Sequence, residues 1–400
     1  MLKVIGMISG TSFDAIEALA VELELDGERL TADLLAHSST PYPEELRAAL
    51  AVMLPPAATT LEQVCRADAA IGQHFALAAE ETATAAFGEP ADVIASHGQT
   101  VFHWVVGSRA MNTLQLGQAA FIAELTGSTV VHDLRVRDIA AGGQGAPLAS
   151  LIDVLLLADG AAHVRGVLNL GGIANVTIIA PGRAPIAFDT GPANALIDAA
   201  ISWRTQGRET YDRDGVTAAR GTVDEPLFRA LMAEPYYQLT PPKSTGKELF
   251  HLEYLRRHIG DREIATGDLL ATLTAVSAQT VATALGGYGV TEVVAAGGGT
   301  RNPALMDAIA QRMPRARIVT TDTYGVAEAA KEALAMAVIG FLTVHGLPGV
   351  VASCTGARRA VVLGSIVPGL KPLTLSAGAR SPSRLVVRTP LFATTASERA

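Results

Sequence analysis

Residues 4–14 read Val-Ile-Gly-Met-Ile-Ser-Gly-Thr-Ser-Phe-Asp, a short apolar run followed by a glycine turn, and this pattern recurs twice. It returns at 166–173 as Gly-Val-Leu-Asn-Leu-Gly-Gly-Ile and at 292–299 as Glu-Val-Val-Ala-Ala-Gly-Gly-Gly. Each segment predicts a buried strand that ends in a tight backbone turn. The first two turns lead back into apolar runs, which predicts hairpins, whereas the third leads into a helical pattern over 304–312. Two hairpins of one kind favour a duplicated α/β architecture.

The composition indicates a protein with a large apolar core and more than one domain. The chain has 400 residues, of which 49% are apolar, and about 100–200 residues per domain is usual. Alanine-rich stretches over 63–87 and 269–285 predict long helices, and an apolar run over 92–96 predicts a further strand. No segment reaches the roughly 18 uninterrupted apolar residues that a membrane span requires, so we expect no membrane partner.

The net charge and the cysteine content indicate which partners and which cellular compartment to expect. The formal net charge is −8, and no stripe of Lys and Arg stands out, which argues against a nucleic-acid partner. The two cysteines, Cys65 and Cys354, form no disulfide framework and no metal-binding motif. Their number fits a reducing compartment, so we expect a cytoplasmic protein.

The first glycine turn has the residue types of an anion site. Gly10 lets the backbone turn without a Cβ clash, so that the following N–H groups point into one concavity. Thr11 and Ser12 add hydroxyl donors, and the carboxylate of Asp14 is suited to Mg²⁺ or to a metal-bound water. The same residues are common in ordinary hairpin turns, which is the alternative interpretation. Gly297, Gly298 and Gly299 likewise fit either a nucleotide site or a flexible connection to a helix.

Taken together, these segments resemble those of the anhydro-N-acetylmuramic acid kinases, which belong to the superfamily of actin-like ATPases and sugar kinases. The resemblance runs from about residue 4 to about residue 369. The matching segments are 9–14, 96–100, 138–148, 169–175, 188–192, 241–246, 297–299, 331–333 and 361–364.

The resemblance implies an α/β, two-lobed actin-like ATPase fold with duplicated ribonuclease-H-like mixed sheets and a central cleft. We expect an N-terminal lobe over 1–135, a C-terminal lobe over 136–370 and an irregular extension over 371–400. ATP and Mg²⁺ are the implied cofactors, with Gly10, Thr11, Ser12 and Asp14 at the phosphates and Asp14 at the metal. The same resemblance implies that Gly171, Gly172 and the triple glycine at 297–299 line the nucleotide.

Asp189 is the implied general base. It follows an apolar stretch at 186–188 and precedes Thr-Gly-Pro, so we expect a strand to carry it to a turn. The alternative is that Asp189 caps a helix beginning near Pro192. The resemblance implies that Asp189 activates a water, which opens the 1,6-anhydro bridge of 1,6-anhydro-N-acetylmuramic acid, and that the freed O6 takes the γ-phosphate of ATP. The product is then N-acetylmuramic acid 6-phosphate, an intermediate of cell-wall amino-sugar recycling.

The expected substrate contacts are Gln99, Thr100, Arg135, Asp138 and Glu332. An arginine suits the lactyl carboxylate of muramic acid, because a guanidinium binds a carboxylate with two parallel hydrogen bonds. The alternatives are a surface ion pair for Arg135 and Asp138, and a solvated helical face for Glu332. His97 is expected to be a hydrogen-bonded histidine and not a second base.

The chain departs from the family pattern at a few positions, which leaves other functions open. Ala15 and Ala193 stand where glycine is usual, and Glu17 stands where aspartate is usual. If Ala15 required a positive φ, the strain would be on the order of 1 kcal/mol. One alternative function is phosphorylation of another anhydro sugar such as levoglucosan, and another is sugar binding with weak or no catalysis. The resemblance also suggests a homodimer.

Overall fold

The computed structural model describes residues 1–10, 13–54, 57–107, 109–158, 160–241, 243–246, 248–375 and 378–390. The chain divides into two compact units. Unit 1 consists of Met1–Asp159 and Asp322–Ala400, and unit 2 consists of Gly160–Thr321. Each unit is an α/β structure with its own mixed sheet.

The strands are β1 (Leu2–Ser9), β2 (Ala15–Asp26), β3 (Arg29–Pro41), β4 (Val93–Val106), β5 (Arg109–Leu116), β6 (Thr129–His132), β7 (Arg165–Leu170), β8 (Ile173–Ile179), β9 (Ile186–Pro192), β10 (Glu292–Ala296), β11 (Arg317–Thr320), β12 (Ser365–Val367) and β13 (Arg384–Thr389). The α-helices are α1 (Glu44–Met53), α2 (Leu61–Phe87), α3 (Ala119–Thr126), α4 (Val136–Ala140), α5 (Ser150–Leu156), α6 (Ala195–Arg204), α7 (Val216–Ala219), α8 (Glu225–Met232), α9 (Leu252–Ile259), α10 (Thr266–Gly287), α11 (Pro303–Arg312), α12 (Lys331–Val344) and α13 (Ala352–Thr355).

The sheet of unit 1 has the strand order β12-β6-β4-β1-β2-β3-β13, with β5 paired to the far part of β4. The hairpin β1–β2 is antiparallel, β2–β3 is antiparallel, and β4 runs parallel to both β1 and β6. The predicted first hairpin is therefore confirmed. Counted within the unit, its five central strands follow the order 3-2-1-4-5.

The sheet of unit 2 repeats this topology. Its order is β11-β10-β7-β8-β9, with antiparallel β7–β8 and β8–β9 pairs and parallel β7–β10 and β10–β11 pairs. Two sheets with one strand order and one pattern of directions confirm the predicted duplication of a ribonuclease-H-like mixed sheet. In both sheets the first and second strands are joined at glycines, Gly10 in unit 1 and Gly171 with Gly172 in unit 2.

Helices cover the sheet of unit 1 on separate sides. Helix α2 begins with a capping box between Thr60 and Gln63 and ends at Gly88, whose φ of +66° a glycine adopts without strain. Helix α12 is apolar around its whole circumference, and nearly all of it is buried. It packs against β1 and β4, where Gly6 lies on the backbone of Ala333 and Ala337, and Gly340 lies on Ala95.

Helix α10 is the central helix of unit 2 and packs against β9, α6, α8 and α11. Among the described residues it is the one helix with the length and apolarity to cross a membrane, and 72% of its most apolar window is buried inside the protein. This burial is that of a core helix.

The unit boundaries differ from the predicted boundaries at 135 and 370. Unit 1 continues to residue 159 and resumes at residue 322, because α12 returns to cover the first sheet after unit 2 is complete. The extension after residue 370 is also not wholly irregular. Its segment β13 pairs in parallel with β3 and extends the sheet of unit 1.

The close packing of Gly6 on α12 generates a stability prediction. Gly6→Ala would place a methyl group against the carbonyl oxygen of Ala333 and the amide of Ala337, both of them rigid backbone. We expect a loss of about 2 to 3 kcal/mol in the free energy of unfolding, measured by urea titration. Gly286→Ala is the matched control, because a methyl group there meets nothing within 4 Å. The control should change stability by less than about 1 kcal/mol, and equal effects of the two variants would contradict the packing argument.

Candidate active site

The end of β1 is held by a buried glutamine. Gln99 is fully buried, and its Oε1 accepts a hydrogen bond from Ser9 Oγ at 2.7 Å. Its Nε2 donates to the carbonyl oxygens of Gly10 at 3.0 Å and Thr100 at 3.2 Å. The Gly10 carbonyl also accepts from Phe13 N at 3.0 Å, which closes the turn. Thr11 and Ser12, the predicted phosphate-binding residues, lie outside the described residues.

Asp14 follows this turn with an exposed carboxylate. Its side chain is 63% exposed, and its Oδ1 accepts from Arg47 at 3.3 Å. Its Oδ2 has no hydrogen-bond donor among the described residues. The described parts of the chain contain no group of three or more His, Cys, Asp or Glu side chains that could hold a metal ion. Asp14 therefore offers a single carboxylate oxygen to a cation.

His97 forms a hydrogen-bonded pair with Arg135, one of the predicted substrate contacts. Arg135 Nε donates to His97 Nε2 at 2.6 Å, and Arg135 Nη1 donates to the carbonyl oxygen of Gly145 at 2.6 Å. The His97 proton then lies on Nδ1, 3.0 Å from the Gly98 carbonyl oxygen. Burial, followed by the Arg135 charge, lowers the pKa of His97 to about 3. His97 is thus neutral near pH 7, as expected for a hydrogen-bonded histidine without a base role.

Asp138 is fully buried and holds the loop that follows α4. Its Oδ1 accepts from Thr355 Oγ1 at 2.8 Å, and its Oδ2 accepts from Gly145 N at 2.8 Å. Burial raises the pKa of this carboxyl, while the two hydrogen bonds and Arg135 oppose that rise. Asp138 is not part of a surface ion pair, so that alternative is wrong.

Thr100 and Glu332 complete the predicted contacts in unit 1. Thr100 is half-buried, and its Oγ1 accepts from Gln115 Nε2 at 3.1 Å. Glu332 is exposed in the first turn of α12, and its negative charge acts on Arg135. The preceding residue, Lys331, is buried and pairs with Asp153 at 2.6 Å, which anchors the start of this helix.

The glycine segments predicted to line the nucleotide come together in unit 2. The Gly171 carbonyl oxygen accepts from Asn194 N at 3.1 Å, and the Gly172 carbonyl oxygen accepts from Ala193 N at 2.9 Å. Gly297 has a φ of +88°, and a methyl group there would lie 2.6 Å from Asn169 Oδ1. A methyl group at Gly299 would lie 2.7 Å from Leu170, whereas one at Gly298 would be in ordinary contact, 3.5 Å from the Arg301 side chain. The end of β10 and the turn after β7 are therefore in contact.

Asp189 lies within β9, which continues to Pro192, and it does not cap a helix. Helix α6 begins at Ala195 with Asn194 before it, so the capping alternative is wrong. Asp189 Oδ2 accepts from Ser244 Oγ and from Thr245 N, each at 2.9 Å. No described residue donates to its Oδ1. Burial raises the pKa of Asp189, with a further rise from Glu248 and opposing effects of Thr245, Ser244 and Lys243.

The segment 243–246 and Tyr236 are neighbours of Asp189 to which the sequence assigned no role. Asp189 N donates to the Lys243 carbonyl oxygen at 3.1 Å, and Tyr236 Oη donates to the Asp189 carbonyl oxygen at 2.8 Å. Lys243 Nζ lies 4.8 Å from the centre of the Tyr236 ring. The signal that could have found them is the Lys-Ser-Thr-Gly block, which matched the family.

The departures from the family pattern are accommodated locally. Ala15 begins β2 in a strand conformation, so the strain considered for a positive φ does not arise there; Phe13 instead has a φ of +44°. Glu17 accepts from Ser39 Oγ at 2.6 Å and pairs with His37 at 2.8 Å. Ala193 is fully buried, and its carbonyl oxygen accepts from Ser277 Oγ.

Comparison with known proteins places this chain in a family. Residues 2–369 match the family model described as anhydro-N-acetylmuramic acid kinase. The chain is 52% identical over 386 residues to the anhydro-N-acetylmuramic acid kinase of Streptomyces coelicolor, covering 96% of this chain and 98% of that protein. It is 54% identical over 388 residues to the one of Streptomyces avermitilis, covering 96% and 100%. A solved ROK hexokinase from Thermus thermophilus is 16% identical, with a TM-score of 0.34 over 86% of this chain and 99% of that one.

The family model and the two Streptomyces relatives define an ATP-using phosphotransferase that acts on a sugar. The chain belongs to the anhydro-N-acetylmuramic acid kinase family, as the resemblance predicted.

The depressed pKa of His97 generates a prediction of pH-dependent stability. The pKa is about 3 in the folded protein and about 6.5 in the unfolded chain, so only the unfolded chain gains this proton between those values. The contribution of neutral His97 to the free energy of unfolding is fully present above pH about 6.5 and is lost as the pH falls toward 3. Between pH about 7.5 and about 5, urea titration should show a loss of about 2 kcal/mol from this residue.

His97→Gln is the variant for this test, because a glutamine keeps one acceptor and one donor and does not titrate. The wild-type protein should lose about 2 kcal/mol more stability than the variant over the same pH interval. Equal losses in the two proteins would show that His97 is not held neutral in the fold.

Proposed function

We propose that Asp189 is the general base for hydrolytic opening of the 1,6-anhydro bridge of 1,6-anhydro-N-acetylmuramic acid, followed by phosphorylation of O6. The observation that supports this most is the state of the Asp189 carboxylate. One oxygen is held by two donors, the other has no donor among the described residues, and burial raises the pKa of the group. A base is most effective when its pKa approaches the working pH.

In the proposed reaction, bridge opening comes first and phosphoryl transfer second. Asp189 Oδ1 takes a proton from water while the water oxygen bonds to the anomeric carbon. The bond between that carbon and O6 breaks, and its electron pair stays on O6. O6 then bonds to the γ-phosphorus of ATP, ADP leaves, and the proton on Asp189 returns to solvent. The products are N-acetylmuramic acid 6-phosphate, ADP and one proton.

The glycine segments and the exposed carboxylate of Asp14 support a proposed site for a nucleotide and a divalent cation. We propose that Gly10, Gly171, Gly172 and the glycines at 297–299 approach the nucleotide, with Thr11 and Ser12 at its phosphates. Asp14 has an exposed carboxylate with one uncommitted oxygen among the described residues, and Mg²⁺ in kinases uses few carboxylates because phosphates supply other ligands. When bound, Mg²⁺ neutralises charge on the transferring phosphoryl group.

The predicted sugar contacts divide into two roles. Arg135 Nη2 has no acceptor among the described residues, and the guanidinium is fixed by His97 and Gly145, so we assign it to the lactyl carboxylate. Thr100 and Glu332 are assigned to sugar hydroxyl groups. Gln99 and Asp138 use their side-chain polar atoms inside unit 1, so we assign them to holding the turn at Gly10 and the loop at Gly145. The homodimer remains a prediction of the resemblance, and the cytoplasmic location remains a prediction of the cysteine content.

The base assignment is tested by Asp189→Asn. An amide does not accept the proton at neutral pH, so turnover in a coupled ADP-release assay should fall by at least about 100-fold. Asp261→Asn is the control, because it makes the same change at an exposed position of unit 2. The control should keep wild-type turnover. Retention of more than a few per cent of the wild-type rate by Asp189→Asn would remove Asp189 as the base.

The sugar specificity is tested by comparing kcat/KM for three anhydro sugars. A fixed guanidinium left without its carboxylate loses a charge-assisted hydrogen-bonded pair, so removal of the lactyl group should lower kcat/KM by about 10- to 100-fold. The substrates are 1,6-anhydro-N-acetylmuramic acid, the same anhydro amino sugar without the lactyl group, and levoglucosan. A higher kcat/KM for levoglucosan would favour the alternative kinase function, and binding of the sugars without ATP turnover would favour the sugar-binding alternative.

A further inference from the structure

The segment 243–245 contacts Asp189 at its backbone and at its side chain. Asp189 N donates to the carbonyl oxygen of Lys243, and Asp189 Oδ2 accepts from Ser244 Oγ and from Thr245 N. Three consecutive residues therefore make three hydrogen bonds to two atoms of one aspartate, its amide nitrogen and Oδ2. Two hydrogen bonds to one carboxylate oxygen restrict the rotation of the carboxylate group about its bond to the rest of the side chain.

The segment is itself anchored to a rigid group of aromatic side chains. Lys243 Nζ donates to the carbonyl oxygens of Tyr236 at 3.3 Å and Tyr237 at 3.1 Å, and it lies over the Tyr236 ring. Tyr237 stacks on the buried Phe250 with ring centres 6.1 Å apart, and Phe250 meets Tyr254 edge to face at 5.5 Å. Because Tyr236 Oη also donates to the Asp189 carbonyl oxygen, both the segment and the aspartate rest on the same aromatic group.

We propose that Ser244 and the Thr245 amide are positioning donors that hold Oδ2 of Asp189, so that Oδ1 is the atom that takes the proton from water. This inference rests on the proposed function of Asp189 as the base. It assigns a role to a serine hydroxyl that does not itself meet the reacting atoms. Ser244 is thus a positioning residue and not a catalytic one.

The charged and titratable groups around Asp189 determine in which direction each variant should shift the pKa of its carboxyl. Lys243 and the two donors favour the ionised carboxylate, Glu248 disfavours it, and Tyr236 is neutral because burial raises the pKa of its phenol. Glu248 is exposed, and its carboxylate lies over Gly246, where a methyl group would overlap it. Loss of the Ser244 hydroxyl should therefore raise the pKa of Asp189, and loss of the Glu248 charge should lower it.

The experiment measures kcat/KM for the anhydro amino sugar against pH at saturating ATP. The acid limb reports the pKa of the base, because only its ionised form takes the proton. In Ser244→Ala the limb should move to higher pH by about 0.5 to 1 unit. In Ser244→Thr, which keeps the hydroxyl, it should stay near the wild-type position. In Glu248→Gln it should move to lower pH.

Ser202→Ala is the matched control, since it removes a half-buried serine hydroxyl of unit 2 that makes no hydrogen bond with the described residues. Its limb should not move. An acid limb of Ser244→Ala within about 0.2 unit of the control would overturn the inference, because a hydrogen bond to a carboxylate must shift its pKa. Inactivity of Ser244→Ala alone supports the inference, whereas inactivity of both Ser244 variants contradicts it.

Failure of this inference is distinguishable from failure of the proposed function. If Asp189→Asn retains turnover, Asp189 is not the base and the proposed function fails. If Asp189→Asn is inactive and the limb of Ser244→Ala stays in place, Asp189 remains the base and only the positioning role of Ser244 is lost.

Discussion

The partial burial of the Asp189 carboxylate is the constraint on which the site in unit 2 depends. A carboxylate removed from water loses hydration, and the fold must return part of that loss through donors. Asp189 lies in β9, which pairs with β8. The segment 243–245 supplies the Ser244 hydroxyl and the Thr245 amide to Oδ2 of Asp189. The remaining desolvation is not cancelled, which is why the pKa of Asp189 stays above its ordinary value. A raised pKa makes the ionised carboxylate a better proton acceptor than an ordinary exposed aspartate.

The two equivalent glycine turns of the duplicated sheets are held in place by different contacts. In unit 1 the turn after β1 is fixed from beneath by Gln99, which joins it to the segment that carries His97 and Thr100. In unit 2 the turn after β7 is fixed by the start of α6 and by the glycines after β10. A side chain at Gly297 or Gly299 would overlap Leu170, whereas one at Gly298 would make only an ordinary contact with the Arg301 side chain. Close backbone packing therefore explains two of the three glycines without any ligand.

Much of the fold follows from the sequence because local signals agree with it. The glycine turns after β1 and β7 predicted both hairpins, and the apolar periodicity predicted α2, α10 and α11 close to their observed bounds. The unit boundaries were not predictable in this way. Helix α12 is apolar on every side, so its pattern does not say which sheet it covers. Its long-range contacts, such as those of Gly6 with Ala333 and of Gly340 with Ala95, assign it to unit 1.

The candidate site was predicted unevenly for a related reason. Residue type and family pattern selected Asp189, Arg135 and His97, but not which of their atoms are engaged. Gln99 and Asp138 are predicted at the sugar, and the sequence did not reveal that their polar atoms also bind the side chains of Ser9 and Thr355 and the backbone of neighbouring turns. Ser244 is 55 residues from Asp189 in the chain, and its contact depends on how the intervening helices return to β9. Such a contact leaves no periodic signal.

The account is tested most directly by the proton affinity of Asp189 in the resting protein. A titration followed by ¹³C NMR of aspartate-labelled protein, with Asp189→Asn to assign the resonance, measures it without substrate. The account predicts one carboxyl resonance, missing from the variant, that titrates at a higher pH than the exposed aspartates. A resonance for Asp189 that titrates with the exposed aspartates, or below them, would contradict it.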